Sequence, residues 1–313
     1  MEAGQGGVRE VSFSGRRIGK GLIWNNRGGI MDRSGIRHTG RRHLVMCPPE
    51  YYEITGDNPW TPPDAKTDRA AAMEEWERLR GIYLDLGHRV HVIEPHPELT
   101  QMTFAANGAL AIDGKAFVAR PHSQERAGEG PAHAEWFRRR GYDVKVSRAR
   151  SEGEGDFLVT ERFVLAGTGF RTDQPAHFEA QEFLSRPVLS LQLVHEKFYH
   201  LDTAVCVLDE RTIAYYPGAF SPGSRRLLER VFPDAVIATD DDADELGLNA
   251  VSDGKNVVLH SSARHLADAL AERGYHPIGI DMPQLQMGGG GPKCCTMGLY
   301  GEPPKTIDTA GSQ

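Results

Sequence analysis

A pattern of about 47 residues recurs along this chain, and it constrains the fold more than any other feature of the sequence. Each copy contains a short apolar strand, a turn, a second apolar strand, an amphipathic helix and a third strand. Five equivalent positions are separated by 48, 48, 46 and 47 residues, namely Asn107, Gly155, Thr203, Asn249 and Thr296. Such regularity predicts an α/β protein built as a closed ring of five ββαβ units.

Four copies are nearly complete, and Asp-Gly pairs in two of them are typical of tight hairpin turns. Their predicted strand, strand, helix and strand are 109–112, 116–119, 131–140 and 142–146; 157–160, 163–166, 174–185 and 188–193; 204–208, 212–216, 223–231 and 235–238; and 250–251, 257–260, 263–273 and 277–280. A partial copy near the beginning has a strand at 44–47, a helix at 67–86 and a strand at 90–93.

Polar residues come just before the first strand of each copy. In a closed ring the starts of these equivalent strands meet near the axis, so residues far apart in the chain would face one another. The predicted group at the axis comprises Asn107, Glu154, Asp156, His200, Asp202 and Cys294. The alternative is an ordinary α/β sheet in which these residues only cap strands.

Composition and charge argue against several classes of protein. The 313 residues carry a formal net charge of -7, which argues against broad nucleic-acid binding. The sequence shows no long apolar run and no signal peptide, so we expect no membrane span, and four cysteines are too few for a disulfide framework. We therefore expect a cytoplasmic protein. The sequence leaves homo-oligomer formation open.

The ends of the chain differ from its middle. Residues 1–42 are basic and rich in glycine, and we expect a mobile extension there. Residues 43–301 are the predicted folded domain, and residues 302–313 are a predicted tail.

A glycine-rich turn precedes a pair of cysteines near the end of the predicted domain. Gly288 to Gly291 are followed by Pro292, Lys293, Cys294 and Cys295. Because glycine has no side chain, a ligand can approach a thiol closely here. Cys294 is therefore a candidate nucleophile. The alternative interpretation of the same residues is a tight turn beside a buried structural cysteine.

Histidine and carboxylate groups accompany this thiol in the predicted ring. His200 and Asp202 are two residues apart, so on a strand both side chains would project to one face, and a neighbouring carboxylate favours a protonated imidazole. The run from Glu152 to Asp156 places three carboxylates between glycines. It lacks the ligand spacing of a calcium loop, so a cationic substrate is the better interpretation.

Three arginines occupy matching places in successive copies, namely Arg120, Arg126 and Arg171. An arginine holds a carboxylate in a bidentate manner, so the expected small molecule is cationic at one end and a carboxylate at the other. Neither the His195–His200 segment nor the glycine run has the spacing of a zinc or phosphate motif, and no metal or cofactor is expected.

These motifs together resemble the guanidino-modifying enzymes, the pentein superfamily. It includes arginine deiminase, dimethylarginine dimethylaminohydrolase, arginine dihydrolase and the amidinotransferases. The matching motifs run in order over about residues 44–300, namely the Glu-Gly-rich segment ending at Asp156, Gly167 to Thr172, His200 to Thr203, and the glycine run with Cys294 to Thr296. The resemblance implies a five-bladed α/β propeller with pseudo-fivefold symmetry and no cofactor.

The resemblance also implies roles for individual residues. Cys294 matches the nucleophile and His200 the general acid and base. Asp202 matches a carboxylate that holds the guanidinium in deiminases and amidinotransferases, whereas dimethylarginine enzymes usually carry another residue type there. Arg171 matches a carboxylate-binding arginine, with Arg126 or Arg120 as a second. Asn58 either contacts the ligand or shapes a turn.

Two positions depart from the superfamily pattern. Asn107 stands where an Asp usually grips the guanidinium, which resembles the arginine dihydrolases. The acidic motif is stretched, so the second gripping carboxylate is Glu152 or Glu154, and the sequence analysis favours Glu154 as the catalytic residue, with Asp156 beside the ligand.

The expected function is hydrolysis of a guanidinium C–N bond through a covalent thiouronium on cysteine. Deiminase or dihydrolase activity on arginine or a related compound is the first hypothesis. Amidino transfer to an amine, dimethylarginine hydrolysis, a non-enzymatic propeller binding protein and a thiol enzyme on another fold are the alternatives.

Overall fold

Five similar units of strands and helices make up the chain in a computed structural model, which describes residues 22–24, 30–32, 40–56, 58–302 and 304. Four units follow the order strand, strand, helix, strand, as the repeat predicts. They comprise Ala109–Ile112, Lys115–Val118, Glu129–Arg139 and Asp143–Val146; Phe157–Val159, Val164–Thr168, Gln174–Leu184 and Val188–Gln192; Val205–Val207, Ile213–Tyr215, Pro222–Val231 and Val236–Ile237; and Val251–Ser252, Asn256–His260, Arg264–Glu272 and His276–Ile280.

The remaining unit is assembled from both ends of the described chain. Its second strand, helix and third strand are His43–Met46, Arg69–Asp85 and Arg89–Val92, and its first strand is Met297–Tyr300. We call Met297–Tyr300 the closing strand. It pairs antiparallel with His43–Met46 and parallel with Ala109–Ile112, and so joins two units into a six-stranded sheet.

Strand pairing is the same in every unit. The first two strands are antiparallel and the third is parallel to the second, as in the sheet of Ala109–Ile112, Lys115–Val118 and Asp143–Val146. At the hairpin turn Asp113 and Gly114 have φ of 51° and 75°, which a type I′ turn requires and which Asp-Gly tolerates well. The local sequence chemistry therefore determines the strand register.

Short helical turns lead into the first strands, a feature that the sequence analysis did not predict. Ala105–Gly108, Gly153–Asp156 and Leu201–Thr203 each end where a first strand begins, and all of their residues are buried. The turns pack against one another, since Leu201 N donates to Asp156 Oδ1 at 3.0 Å and Asn107 Nδ2 donates to Glu152 Oε2 at 3.4 Å. Their polar side chains consequently lie in the protein interior.

The apolar core lies between the helices and the sheets. Leu110, Phe117, Phe137 and Phe157 are fully buried, and the third strands are the more exposed ones. The remaining helical segments of the described chain are Asp240–Asp244, Pro283–Met287, Glu196–Phe198 and Pro217–Ala219.

The two ends of the chain are described only in part. Leu22–Trp24 and Ile30–Asp32 pair antiparallel. The rest of the predicted extension before residue 40, and the tail after residue 304, lie outside the described residues. Within the part of the chain that the structure describes, no helix is long and apolar enough to span a membrane.

Two phenylalanines on equivalent helices test the position of the apolar core. Phe137 is fully buried beside Trp136 and Tyr142, whereas Phe178 is 65% exposed. We expect Phe137→Ala to lower the free energy of unfolding by about 3–5 kcal/mol because it leaves a cavity. Phe178→Ala should change it by less than about 0.5 kcal/mol in the same urea titration. Equal losses for both variants would contradict this assignment of the core.

Candidate active site

A narrow cavity that opens to solvent lies where the helical turns meet, and the space in and in front of it amounts to about 460 Å³. Six residues singled out in the sequence line it, namely Asn58, Asn107, Arg126, Arg171, His200 and Cys294. The other lining residues are Thr55, Gln101, Phe104, Ser123, Glu125, Tyr199, Gly288 and Gly289. The structure thus brings the thiol and the imidazole, 94 positions apart in the sequence, to one cavity.

Close packing explains the glycine run before Cys294. Gly289 has φ of 91°, and a Cβ there would lie 2.7 Å from the Asn58 side chain. A Cβ on Gly290 would lie 2.8 Å from Cys294 Cβ. Larger residues would displace the turn, so the glycines bring the Cys294 backbone up to the cavity wall.

Asn249 holds the Cys294 turn. Its Oδ1 accepts hydrogen bonds from Gly291 N and Cys294 N, both at 3.0 Å. Its Nδ2 donates to Cys294 Sγ at 3.1 Å and to the Asp202 carbonyl at 3.3 Å. The sequence analysis noted Asn249 only as the polar residue before a first strand, and that position was the one signal for its role.

Asp202 accepts a hydrogen bond from the Cys294 thiol. Cys294 Sγ donates to Asp202 Oδ2 at 3.3 Å, and both residues are buried. Burial, together with the Asp202 and Cys295 side chains, raises the pKa of the Cys294 thiol well above its usual value. The sulfur is therefore a thiol, and a cation close to it would favour the thiolate.

The sequence analysis expected His200 and Asp202 to lie on a strand, and this expectation was wrong. Leu201–Thr203 is a 3-10 helix with His200 at its N-cap, so the two side chains reach different partners. His200 Nε2 donates to Glu152 Oε2 at 2.7 Å, whereas Asp202 contacts the thiol. The tight turn at the start of the unit separates the imidazole from the carboxylate two residues later.

Glu152 is the carboxylate that faces the histidine. Its Oε1 also accepts His122 N at 2.9 Å, and Arg126 and Arg171 lie 4.0 and 3.9 Å away. Burial raises the pKa of Glu152, but His200 and the two arginines outweigh it, and the pKa falls below its usual value. Burial lowers the pKa of His200, but Glu152, Asp156 and Asp202 outweigh it, and the pKa rises. The pair is thus a carboxylate and an imidazolium.

Glu154 does not face the cavity, which corrects the preference expressed in the sequence analysis. Its Oε2 accepts a hydrogen bond from Lys293 Nζ at 2.7 Å, and both oxygens accept from Gly298 N at 3.1 Å. Gly153–Asp156 forms a single helical turn, so Glu152 and Glu154 leave it in different directions. The sequence alone could not distinguish the two glutamates because their separation depends on this turn.

Two further expectations also need correction. Asp156 is buried behind the cavity wall and accepts Leu201 N, so it is not beside the ligand space. Arg120 is exposed, its guanidinium donates to the Arg148 carbonyl, and its backbone bridges to Ser151. Neither residue lines the cavity.

Two buried acceptors at the site have no hydrogen-bond partner, Asn107 Oδ1 and Asp202 Oδ1. A buried acceptor without a donor costs free energy, so both oxygens are suited to N–H groups of a ligand. Asn107 lines the cavity directly, and Asp202 lies next to the cavity through its contact with Cys294.

The two arginines that line the cavity have different neighbours. Arg126 is paired with Glu129 through two hydrogen bonds of 2.9 and 2.7 Å. The Arg171 guanidinium lies over the Tyr199 ring at 4.7 Å from its centroid, and its side chain is largely buried. Tyr199, which the sequence analysis missed, thereby fixes the direction of Arg171. Among the described residues, no group of three or more His, Cys, Asp or Glu side chains is arranged to hold a metal ion.

Comparisons with known proteins agree with this geometry. No protein-family model matches the chain. The chain is 46% identical to an N(G),N(G)-dimethylarginine dimethylaminohydrolase of Mycobacterium tuberculosis, over 85% of this chain and 89% of that protein. It is 34% identical to the bifunctional arginine dihydrolase/ornithine cyclodeaminase AgrE of Nostoc, over 83% of this chain and 38% of that larger protein.

A solved structure has a similar fold. The N-terminal domain of ArgZ, an arginine dihydrolase from cyanobacteria bound to product, superposes with a TM-score of 0.80 at 30% identity. The match covers 84% of this chain and 99% of that domain. With these relatives, and with a thiol, an imidazole and carboxylates around one cavity, the chain belongs to the guanidino-modifying hydrolases of the pentein superfamily.

Proposed function

We propose that the protein hydrolyses the guanidinium group of free arginine, with Cys294 as nucleophile, in the manner of an arginine dihydrolase. The observation that carries this proposal is the set of groups around one cavity: a thiol, an imidazolium paired with Glu152, and the unpartnered oxygens of Asn107 and Asp202. A planar cation with several N–H groups would satisfy both oxygens.

The fold proposed for this activity is a five-bladed α/β propeller formed by residues 43–301. Five units with one strand pattern, and a closing strand that joins the last residues of the domain to the first unit, support pseudo-fivefold symmetry around the cavity. A cytoplasmic location stays a prediction, and the four free, buried cysteines are consistent with it.

The proposed chemistry starts when the guanidinium enters the cavity. Its positive charge next to Asp202 takes the place of the thiol as the partner of that carboxylate, the Cys294 proton leaves to solvent, and the thiolate is favoured. The thiolate attacks the guanidinium carbon, and the C–N bond to the leaving nitrogen breaks. Protonated His200 supplies the proton that the leaving amine needs.

Hydrolysis of the covalent intermediate completes a round. His200, now neutral, accepts a proton from water, which attacks the thiouronium carbon and releases Cys294. The ureido product is citrulline when ammonia was the leaving group. A second round on citrulline gives ornithine, ammonia and carbon dioxide, and Asn107 is the residue proposed to permit it.

The rim of the cavity supports an amino-acid substrate. Arg171 supplies a cation for the α-carboxylate, and Arg126 lies beside it, although Glu129 already holds Arg126. Glu125, on the same rim, supplies a carboxylate for the α-ammonium. Asn58 lines the cavity and donates to the Gly288 carbonyl at 3.1 Å, so its proposed role is to hold the entrance next to the glycine run.

Hydrolysis of dimethylarginine is the second candidate function, favoured by the 46% identical relative. Methyl groups on a terminal nitrogen would reduce the number of N–H donors available to Asn107 Oδ1 and Asp202 Oδ1, and for this reason the proposal places the unmethylated substrate first. Mass spectrometry of products decides between them. Arginine should yield ornithine with two ammonia molecules, whereas dimethylamine and citrulline from dimethylarginine would establish the second candidate.

Replacement of Cys294 or of Cys295 tests which of these two cysteines is the nucleophile. Cys294→Ser should lower kcat by about 10³-fold or more, because the weaker nucleophile cannot form the thiouronium at a useful rate. Cys295→Ser should keep most of the activity, since the Cys295 side chain is buried among core residues that include Tyr52 and Tyr83. The reverse result would move the nucleophile by one residue and contradict the proposed site.

The pKa of His200 tests its proposed role as the general acid. Glu152→Gln removes the carboxylate bonded to Nε2, so the pKa of His200 should fall, because burial is then opposed only by Asp156 and Asp202. The high-pH limb of kcat should move to lower pH by the same amount. Titration of the His200 ring by NMR measures the shift directly, and an unchanged pKa in the variant would show that Glu152 does not set the charge of the imidazole.

A further inference from the structure

Asn249 connects another unit of the fold to the proposed nucleophile. It comes just before Val251–Ser252, the first strand of its unit, at the position that Asn107 occupies in an earlier unit. Asn249 is 0% exposed and does not line the cavity that holds Cys294. Any part that it takes in the reaction must therefore act on the sulfur or on the turn that carries the sulfur, and not on the substrate.

Three backbone N–H groups of the Cys294 turn donate to Asn249. Gly291 N and Cys294 N donate to the side-chain Oδ1, both at 3.0 Å, and Lys293 N donates to the backbone carbonyl at 3.2 Å. A Cβ on Gly291 would lie 3.1 Å from Oδ1, so glycine lets this oxygen approach closely. Asn249 thus holds the turn, and the turn in return fixes the direction of the Asn249 amide.

The nitrogen end of this amide faces the sulfur. Nδ2 carries two hydrogens, and it donates to the Asp202 carbonyl at 3.3 Å and to Cys294 Sγ at 3.1 Å. With the amide reversed, its NH₂ group would face the N–H groups of Gly291 and Cys294, donor against donor. The hydrogen-bond network therefore places an N–H group, and not an oxygen, next to the reacting atom.

Asp202 and Asn249 act in opposite directions on Cys294 Sγ. Asp202 Oδ2 accepts from the thiol at 3.3 Å and favours the protonated sulfur, whereas the Asn249 donor favours the ionised sulfur. In the proposed mechanism the guanidinium becomes the partner of Asp202 and the thiol proton leaves. The Asn249 contact needs no rearrangement at that point, and a hydrogen bond to a charged acceptor is stronger than one to a neutral acceptor.

We propose that Asn249 is a catalytic residue whose Nδ2–H group stabilises the Cys294 thiolate for its attack on the guanidinium carbon. The thiol proton goes to solvent, the sulfur keeps the electron pair, and that pair forms the S–C bond. The donor gains strength as the charge appears on sulfur, so it lowers the free energy of the reactive form more than that of the resting thiol. This inference deepens the proposed function and rests on it, because it assigns a hydrogen-bond donor to the nucleophile of that reaction.

Two substitutions at position 249 separate the donor from the support of the turn. Asn249→Asp keeps an oxygen for Gly291 N and Cys294 N but places a second oxygen, not an N–H group, beside the sulfur. Asn249→Ala removes both functions. Asn256→Ala is the matched control, because Asn256 is a buried asparagine of the same unit whose Nδ2 donates to Asp253 Oδ2 at 2.8 Å. A role limited to holding the turn predicts an active Asn249→Asp.

The first measurement is rapid acid quench of each variant with arginine, followed by mass spectrometry of the Cys294 peptide and accompanied by steady-state kinetics. We expect the adduct to form about tenfold more slowly in both Asn249 variants, because a hydrogen bond to a charged group is lost. KM should change little, since Asn249 does not line the substrate cavity. Asn256→Ala should react at the wild-type rate.

The second measurement is alkylation of Cys294 by iodoacetamide at alkaline pH without substrate, with circular dichroism to verify folding. Only the thiolate reacts, so loss of the donor should slow alkylation in both Asn249 variants. A turn that is merely loosened would instead expose the sulfur and speed alkylation. The two explanations thus predict changes of opposite sign.

Adduct formation at the wild-type rate in folded Asn249→Asp would overturn the inference, as would unchanged or faster alkylation of Cys294 in either folded variant. If neither Asn249 variant folds while Asn256→Ala does, Asn249 has a structural role alone, which also contradicts the inference. Wild-type protein that does not hydrolyse arginine would refute the proposed function, and the alkylation rates would then decide separately whether Asn249 stabilises the thiolate.

Discussion

The closing strand, Met297–Tyr300, is the constraint on which the rest of the structure depends. Its hydrogen bonds to His43–Met46 on one side and to Ala109–Ile112 on the other join the two ends of the domain. The residues just before it form the Cys294 turn, so pairing of the closing strand also places the proposed nucleophile. Cys294 and His200 line the same cavity, although they lie in different units.

Charge organises the site once the backbone has brought its residues together. Glu152 and Glu154 are two residues apart, yet one faces His200 and the arginines and the other faces Lys293. Each of these two buried glutamates has a cationic partner, as buried charges require. Asp202, which contacts the thiol, keeps one oxygen without a hydrogen-bond partner. The site is thus prepared for one more cation, and a guanidinium is the cation that the relatives of this chain process.

Much of the fold could be predicted from the sequence because its signals are local. Asp113-Gly114 specifies a hairpin, and short apolar runs specify the strands, so the predicted element bounds agree with the structure to within a few residues. Cys294 and His200 could be singled out for a similar reason, since each stands in a short distinctive motif. The short turns before the first strands escaped prediction, because tertiary packing stabilises them and no apolar period marks them. The choice between Glu152 and Glu154, the burial of Asp156 and the anchoring role of Asn249 all depend on those turns.

The central claim is a covalent bond between substrate carbon and Cys294 Sγ. Rapid acid quench of the enzyme during turnover of arginine, followed by mass spectrometry of its peptides, tests that claim most directly. The account predicts an adduct on the Cys294 peptide whose added mass equals arginine less ammonia, and its disappearance as substrate is exhausted. Turnover of arginine without any adduct, or with the adduct on a different cysteine, would contradict it.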